Sequence, residues 1–137
     1  MRYSFDLLND IFDWCVADAE LMRLLGIKDI ADLEELNGKL RREYQTDDVI
    51  SSEDAPFLSY YFMHAEKTKN NWCANKGDLY VDIYTHTMYD AGMIAKRFRQ
   101  ILCAHTEIML NYEGQHFSGV TGIYKYRLIY NPLIDGK

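Results

Sequence analysis

Four histidines, three cysteines and 21 acidic side chains are the groups in this chain able to move protons, hold a metal or attack a carbon centre. A general acid–base pair needs two titratable groups within hydrogen-bond reach. A structural or catalytic zinc needs His and Cys at short spacing, so that one loop or one helix face delivers two ligands. His64, His86, His105 and His116 lie far apart, share no ligand spacing on a common element, and adjoin no cysteine. Cys15, Cys73 and Cys103 form no Cys-x-x-Cys pair, and three thiols cannot all pair within one chain. Ser118-Gly119 lacks the Gly-x-Ser-x-Gly setting of a nucleophile elbow. No glycine-rich phosphate loop is present. These residues point away from a catalytic, metal or cofactor centre, and the chain is expected not to be an enzyme. A site assembled from distant segments is the one chemical arrangement left open. His105 on a helix reads as a partly buried, hydrogen-bonded histidine, and His86 as turn chemistry.

The elements that would position any site are clearer than the site. Asp78 to Thr85 alternates strictly: Leu79, Val81 and Ile83 point one way, Tyr80, Asp82 and Tyr84 the other. This is a half-buried strand, with its second face on water or a partner. Thr87, three residues before Asp90, caps a long helix whose apolar positions are Ala91, Ile94, Ala95, Phe98, Ile101, Leu102 and Ile108. Upstream, residues 4–25 read as one helix, capped by Ser4 and stopped by Gly26. Its main stripe is Phe5, Leu8, Phe12, Cys15, Ala19 and Met22, widened by Leu7, Ile11 and Trp14. Asp29 to Leu36 reads as a short helix buried through Ile30, Leu33 and Leu36, capped by Asp29 and ended by Asn37-Gly38. Leu40 to Tyr44 suits a short strand, and Gln45 to Pro56 an exposed acidic loop. Phe57 to Ala65 is an aromatic-rich strand. It joins the alternating strand through a polar hairpin connection over 66–76 that holds Lys67, Lys69, Asn70, Asn71 and Trp72. After the long helix, Asn111 to Gly114 reads as a turn. Gln115–Val120 and Gly122–Tyr130 follow as strands, the last carrying Tyr124, Tyr126, Leu128 and Tyr130 on one face.

The order helix, short helix, hairpin, helix, hairpin gives an α+β fold. A mixed or antiparallel sheet of four to five strands is flanked by a long N-terminal helix and a second long helix, with a long hairpin loop. At 137 residues the chain is one domain, 1–137, and buries about 68% of its unfolded surface without staples. Cys15 and Cys103 read as small core residues and Cys73 as a loop thiol, which suits a reducing cytoplasm. The first residues carry no signal-peptide pattern and no run is long enough to span a membrane. The net charge of −6 argues against general nucleic-acid binding, which needs a basic patch. Eleven tyrosines supply large rings with wet ends, suited to contact surfaces. Two surfaces are the candidates for partner contact: the tip residues Lys67, Lys69, Asn70, Asn71 and Trp72, and the face of Tyr124, Tyr126 and Tyr130.

Four stretches together carry a likeness. They are the Leu7-Leu8-x-x-Ile11 helix, the run Asp54-Ala55-Pro56-Phe57-Leu58-Ser59-Tyr60-Tyr61-Phe62 into a strand, the strand Gly77 to Thr85, and the helix holding Ala95, Lys96, Arg97, Ile101 and Leu102. In this order and at this chain length the sequence resembles the tail-terminator and head–tail joining proteins of long-tailed bacteriophages and prophages. The resemblance implies an α+β virion subunit that assembles in the host cytoplasm into a ring with copies of itself, a hexamer in the tail-terminator branch. That ring stops tail-tube growth and docks the head connector, so its partners are the tail-tube protein and the head-completion protein. DNA passes the lumen without specific binding. A different class of protein also fits these elements: a small α+β enzyme or ligand-binding domain with a cavity between helix and sheet.

Overall fold

The computed structural model describes residues 3–67 and 74–135, with the backbone alone for 64–67 and 74–75. Lys69, Asn70, Asn71, Trp72 and Cys73 therefore lie outside the described residues, and Lys67 is placed only as the last residue of a strand.

The expected first helix is two helices, α1 (Ser4–Val16) and α2 (Ala19–Leu24). Asp18 divides them. Its backbone is extended, and its carboxylate accepts a hydrogen bond from Leu21 N at 2.8 Å, so it serves as the N-cap of α2. Tyr3, not Ser4, stands at the N-cap of α1. The buried stripe of α1 is Leu7, Ile11 and Cys15, flanked by half-buried Leu8, Phe12 and Trp14, while Phe5 is exposed. Gly26, at φ 73, follows α2 as the expected stop. Helix α3 spans Leu33–Lys39 and is capped by Asp32 rather than Asp29. Only Leu36 of its expected apolar side is buried; Ile30 and Leu33 are exposed, and Asn37 and Gly38 lie inside the helix.

From α3 the chain passes directly into β1 (Leu40–Arg41), which pairs parallel with β2 (Phe57–Lys67). The expected strand to Tyr44 is thus cut to two residues. β2 and β3 (Ala74–Thr85) form the expected antiparallel hairpin, with Leu58 opposite Ile83, Tyr60 opposite Val81 and Phe62 opposite Leu79. Thr87 accepts from Asp90 N at 3.1 Å and caps α4 (Met88–His105) as its sequence implies. The six positions from Ala91 to Leu102 are all buried, and Ile108 falls beyond the helix.

β4 (Leu110–His116) occupies the stretch expected as a turn, and the chain turns instead over 117–123. Gly119 (φ 76) and Gly122 (φ 82) supply the left-handed backbone there. β5 (Tyr124–Tyr130) pairs antiparallel with both β3 and β4. A sixth strand, β6 (Leu133–Asp135), has no counterpart in the sequence reading; it continues the β5 side along Ala74–Lys76 of β3. The result is an α+β fold with one mixed sheet, in the order β1-β2-β3-β5-β4 with β6 beside β3.

Helices α1, α2 and α4 pack with one face of this sheet around Leu58, Tyr60, Leu79, Val81, Ile83, Leu128 and Tyr130. The opposite face is not left to water. Residues from two loops, Ile50 and Ala55 from one and Val120 and Ile123 from the other, close over Phe57 and Tyr84. Tyr84, expected on the open side of its strand, is consequently buried, and Asp82, expected there too, is buried among Tyr61, Lys125 and Arg127.

Candidate functional site

The outer face of the sheet gathers its charge at one buried carboxylate. Asp82 is fully buried at the centre of β3, and β2 and β5 bring Ser59 and Arg127 to either side of it. Arg127 donates to it through Nε at 2.7 Å and through a terminal nitrogen at 3.2 Å. Tyr61 donates its hydroxyl at 2.7 Å, and Lys125 Nζ lies 3.8 Å away. Burial draws the Arg127 guanidinium downward, but the hydrogen bonds and charge of Asp82 more than offset this and leave it raised above its usual value. Burial lowers the Lys125 ammonium from its usual range, with Asp82 opposing. The Tyr61 phenol is pushed up, first by burial and then by its bond to Asp82. Aromatic rings back the cations: Arg127 sits 4.8 Å from the Tyr80 centroid and Arg41 3.9 Å from that of Phe57. Arg41 also pairs with Asp54 at 3.0 Å, which ties the acidic loop to the sheet. Every oxygen of Asp82 is occupied and the group is shielded from solvent, so its work is to join three strands. No lone aspartate signals this; the only sequence cue was Arg127 at the matching height of a later strand.

The second feature is an open groove of about 710 Å³ between α4 and the β4–β5 edge. Ala95, Leu102, Leu110, Tyr126 and Tyr130 give it an apolar floor and wall. Arg99 of α4 bridges to Glu113 of β4 at 2.9 Å. Here the expected tyrosine face is redistributed. Tyr130 is buried against Phe98, with ring centroids 6.4 Å apart, and burial pushes its phenol up to about 12. Tyr126 is half-buried with its own phenol also raised by burial, and Tyr124 stays 44% exposed at the far end of the strand. The alternation is present, but this face turns toward α4 and the core, and Tyr130 is buried within the fold rather than offered to a partner.

The suspects for acid–base work are scattered. His86 is exposed just after β3. His105 is exposed rather than partly buried, and stacks on Trp14 with centroids 4.8 Å apart. His116 lies 3.1 Å from the Tyr112 hydroxyl; burial, then the charges of Arg127 and Lys125, lower its imidazole below the usual range. The side chain of His64 lies outside the described residues. Cys15 is buried, and burial then Asp18 raise its thiol far above 9.0. Cys103, expected in the core, is exposed on α4. Ser118 donates to Ile123 O at 2.8 Å and accepts from Val120 N at 3.1 Å, a turn role. Among the described residues no three of His, Cys, Asp and Glu converge on a metal-sized space. Among them, too, no helix is long and apolar enough to cross a membrane.

Asp18 links the helices to each other. Besides capping α2, it accepts from Arg97 Nε of α4 at 2.9 Å and pairs with a second Arg97 nitrogen. The Arg97 hydrogen bond, opposed by burial and assisted by Leu21 N, lowers its carboxyl below 3.8. A depressed carboxyl stabilises the fold at pH above its unfolded value, and the contribution fades as pH falls through the folded value. Asp18→Asn, which keeps a capping oxygen, is expected to cost about 1–2 kcal/mol at neutral pH. In urea melts the gap from wild type should close as pH drops below 3.8; a gap that persists in acid would show that the pair contributes nothing. Compared with models of known protein families and with curated proteins, the chain matches none of either.

Proposed function

We propose that this chain is a structural subunit of the head–tail junction of a long-tailed bacteriophage or prophage, acting by contact with copies of itself and with its neighbours. Copies form a ring, hexameric at the tail end, that halts the tube and receives the head connector. The observation that carries the reading is the placement of the family-like stretches on successive elements. Leu7, Leu8 and Ile11 lie on α1, the Pro56-Phe57 run opens β2, Gly77 to Thr85 makes up most of β3 through its end, and Ala95 to Leu102 lies in α4. The net charge of −6 favours passage of DNA without adhesion. The main core, which joins α1, α2 and α4 to one face of the sheet, suits a subunit that acts through its surface.

The hairpin tip supplies the test. Trp72→Ala is expected to leave the melting temperature nearly unchanged and to reduce co-sedimentation with tail tubes of the same phage by tenfold or more, on the order of one contact residue's share. A large fall in melting temperature would instead assign Trp72 to the fold. Undiminished co-sedimentation would remove the tip from the interface.

The groove between α4 and β4–β5 favours a second reading, a ligand-binding domain. Its polar rim is Lys96, Arg99, Glu107 and Glu113; His105 does not line it. Small apolar anions that raise the melting temperature of wild type, but not of an Arg99→Ala variant, would support this reading.

A further inference from the structure

Among the described residues, two of the surface hollows flank one strand. The groove meets β4 at Leu110 and Glu113, and a second hollow of about 550 Å³ meets it at Gln115, His116 and the following Phe117. β4 is an edge strand: among the described residues it pairs only with β5, so half of its backbone N–H and C=O groups face outward. It carries neither Lys nor Pro, residues that commonly guard such an edge. Large apolar side chains stand exposed along it instead: Met109 at 81%, Tyr112 at 42% and Phe117 at 93%.

We propose that β4 is a docking strand for a second copy of this chain, which adds its own β4 antiparallel across a two-fold axis at Gly114. The strand is complementary to itself in this register alone among its neighbours. Glu113 comes opposite Gln115 of the partner subunit, so each carboxylate meets an amide donor. Tyr112 comes opposite His116 of the partner subunit, and the two pairs repeat across the axis. Moving the axis to Glu113 would set two carboxylates face to face; moving it to Gln115 would set Glu113 against Phe117. About Gly114, Phe117 comes level with the β4 bulge at Asn111 of the partner subunit, beside the Met109 and Leu110 wall of the groove. The most exposed large apolar side chain among the described residues is thereby delivered to the larger of these two hollows, twice per pair. A two-fold contact of this kind is isologous and closes at two copies. It concerns free copies in solution and does not rest on the head–tail reading.

Sedimentation equilibrium of the full chain under reducing conditions tests it. Wild type is expected to dimerise. Gln115→Glu creates two Glu–Glu pairs per dimer and should weaken association about tenfold. Adding Glu113→Gln to that variant exchanges the two side chains, restores the complement and should restore the dimer. Phe117→Ser should also weaken it with the melting temperature unchanged. A chain that stays monomeric throughout, or a dimer indifferent to the Gln115→Glu change and its rescue, would overturn the proposal. Rings larger than a dimer that ignore these substitutions would overturn it too and leave the head–tail reading standing. Failure to bind tail tubes by a chain whose β4 dimer behaves as described would count against the head–tail reading alone.

Discussion

Asp82→Ala is expected to lower the free energy of unfolding by about 3–5 kcal/mol, the usual cost of removing one partner from a buried ion pair. Its side chain has no solvent exposure, while those of Arg127 and Lys125 retain 16% and 11%. Without the carboxylate, the two neighbouring cations of β5 lose the anion between them, and the Tyr61 hydroxyl loses its acceptor. The penalty comes from stranded charge more than from lost attraction. Asp82→Leu combined with Arg127→Leu and Lys125→Met should therefore recover much of the loss of Asp82→Ala, because no stranded charge remains. Urea unfolding of the variants reads this directly. A loss below about 1 kcal/mol for Asp82→Ala would mean that water replaces the carboxylate and that the cluster does not join the strands.

Phe98→Ala is expected to cost about 3–5 kcal/mol through the cavity it leaves. Phe98 is fully buried at the middle of α4, where the helix meets the sheet, and its ring lies beside Tyr130. The helix and strand it joins are both fixed elsewhere, by the Thr87 cap and by the β3–β5 pairing, so collapse around the gap is limited. Tyr89→Ala, on the same helix but 76% exposed, should change stability by less than about 0.5 kcal/mol. Thermal and urea melts of the pair distinguish a core contact from a helix-propensity effect, since both substitutions insert the same alanine.

The strand Asp78 to Thr85 and helix α4 were legible because local signals agreed. Leu79, Val81 and Ile83 alternate, Thr87 caps, and the apolar spacing of α4 has one phase. The outer face of β3 was not legible. Tyr80, Asp82 and Tyr84 look like a wet face, but Tyr84 is covered by loops far along the chain through Ile50, Ala55, Val120 and Ile123, and Asp82 by Tyr61, Lys125 and Arg127 of the adjoining strands. Such coverage is a tertiary event that period-two patterning does not encode. The break at Asp18 was missed because the apolar spacing runs through it; capping by an internal aspartate and the Arg97 pair override that continuity. Asn111 to Gly114 has turn composition, yet it is held as strand by pairing with β5, and the glycines that do turn the chain are Gly119 and Gly122. For the candidate surfaces the tyrosine alternation was visible, but its direction was not. A strand's pattern says which residues share a face, not which face meets the helix.

The most direct test of the account is the growth of tail tubes in the presence of this chain. Under the proposed function, tube protein encoded in the same genome as this chain is allowed to polymerise with and without it, and tube lengths and ends are imaged by negative stain. The account requires that tubes stop lengthening once the chain is added and carry a single ring of it at one end. Tubes that keep growing with bare ends, at concentrations where the chain is folded and in excess, would contradict the claim that it works by adhesion at the head–tail junction.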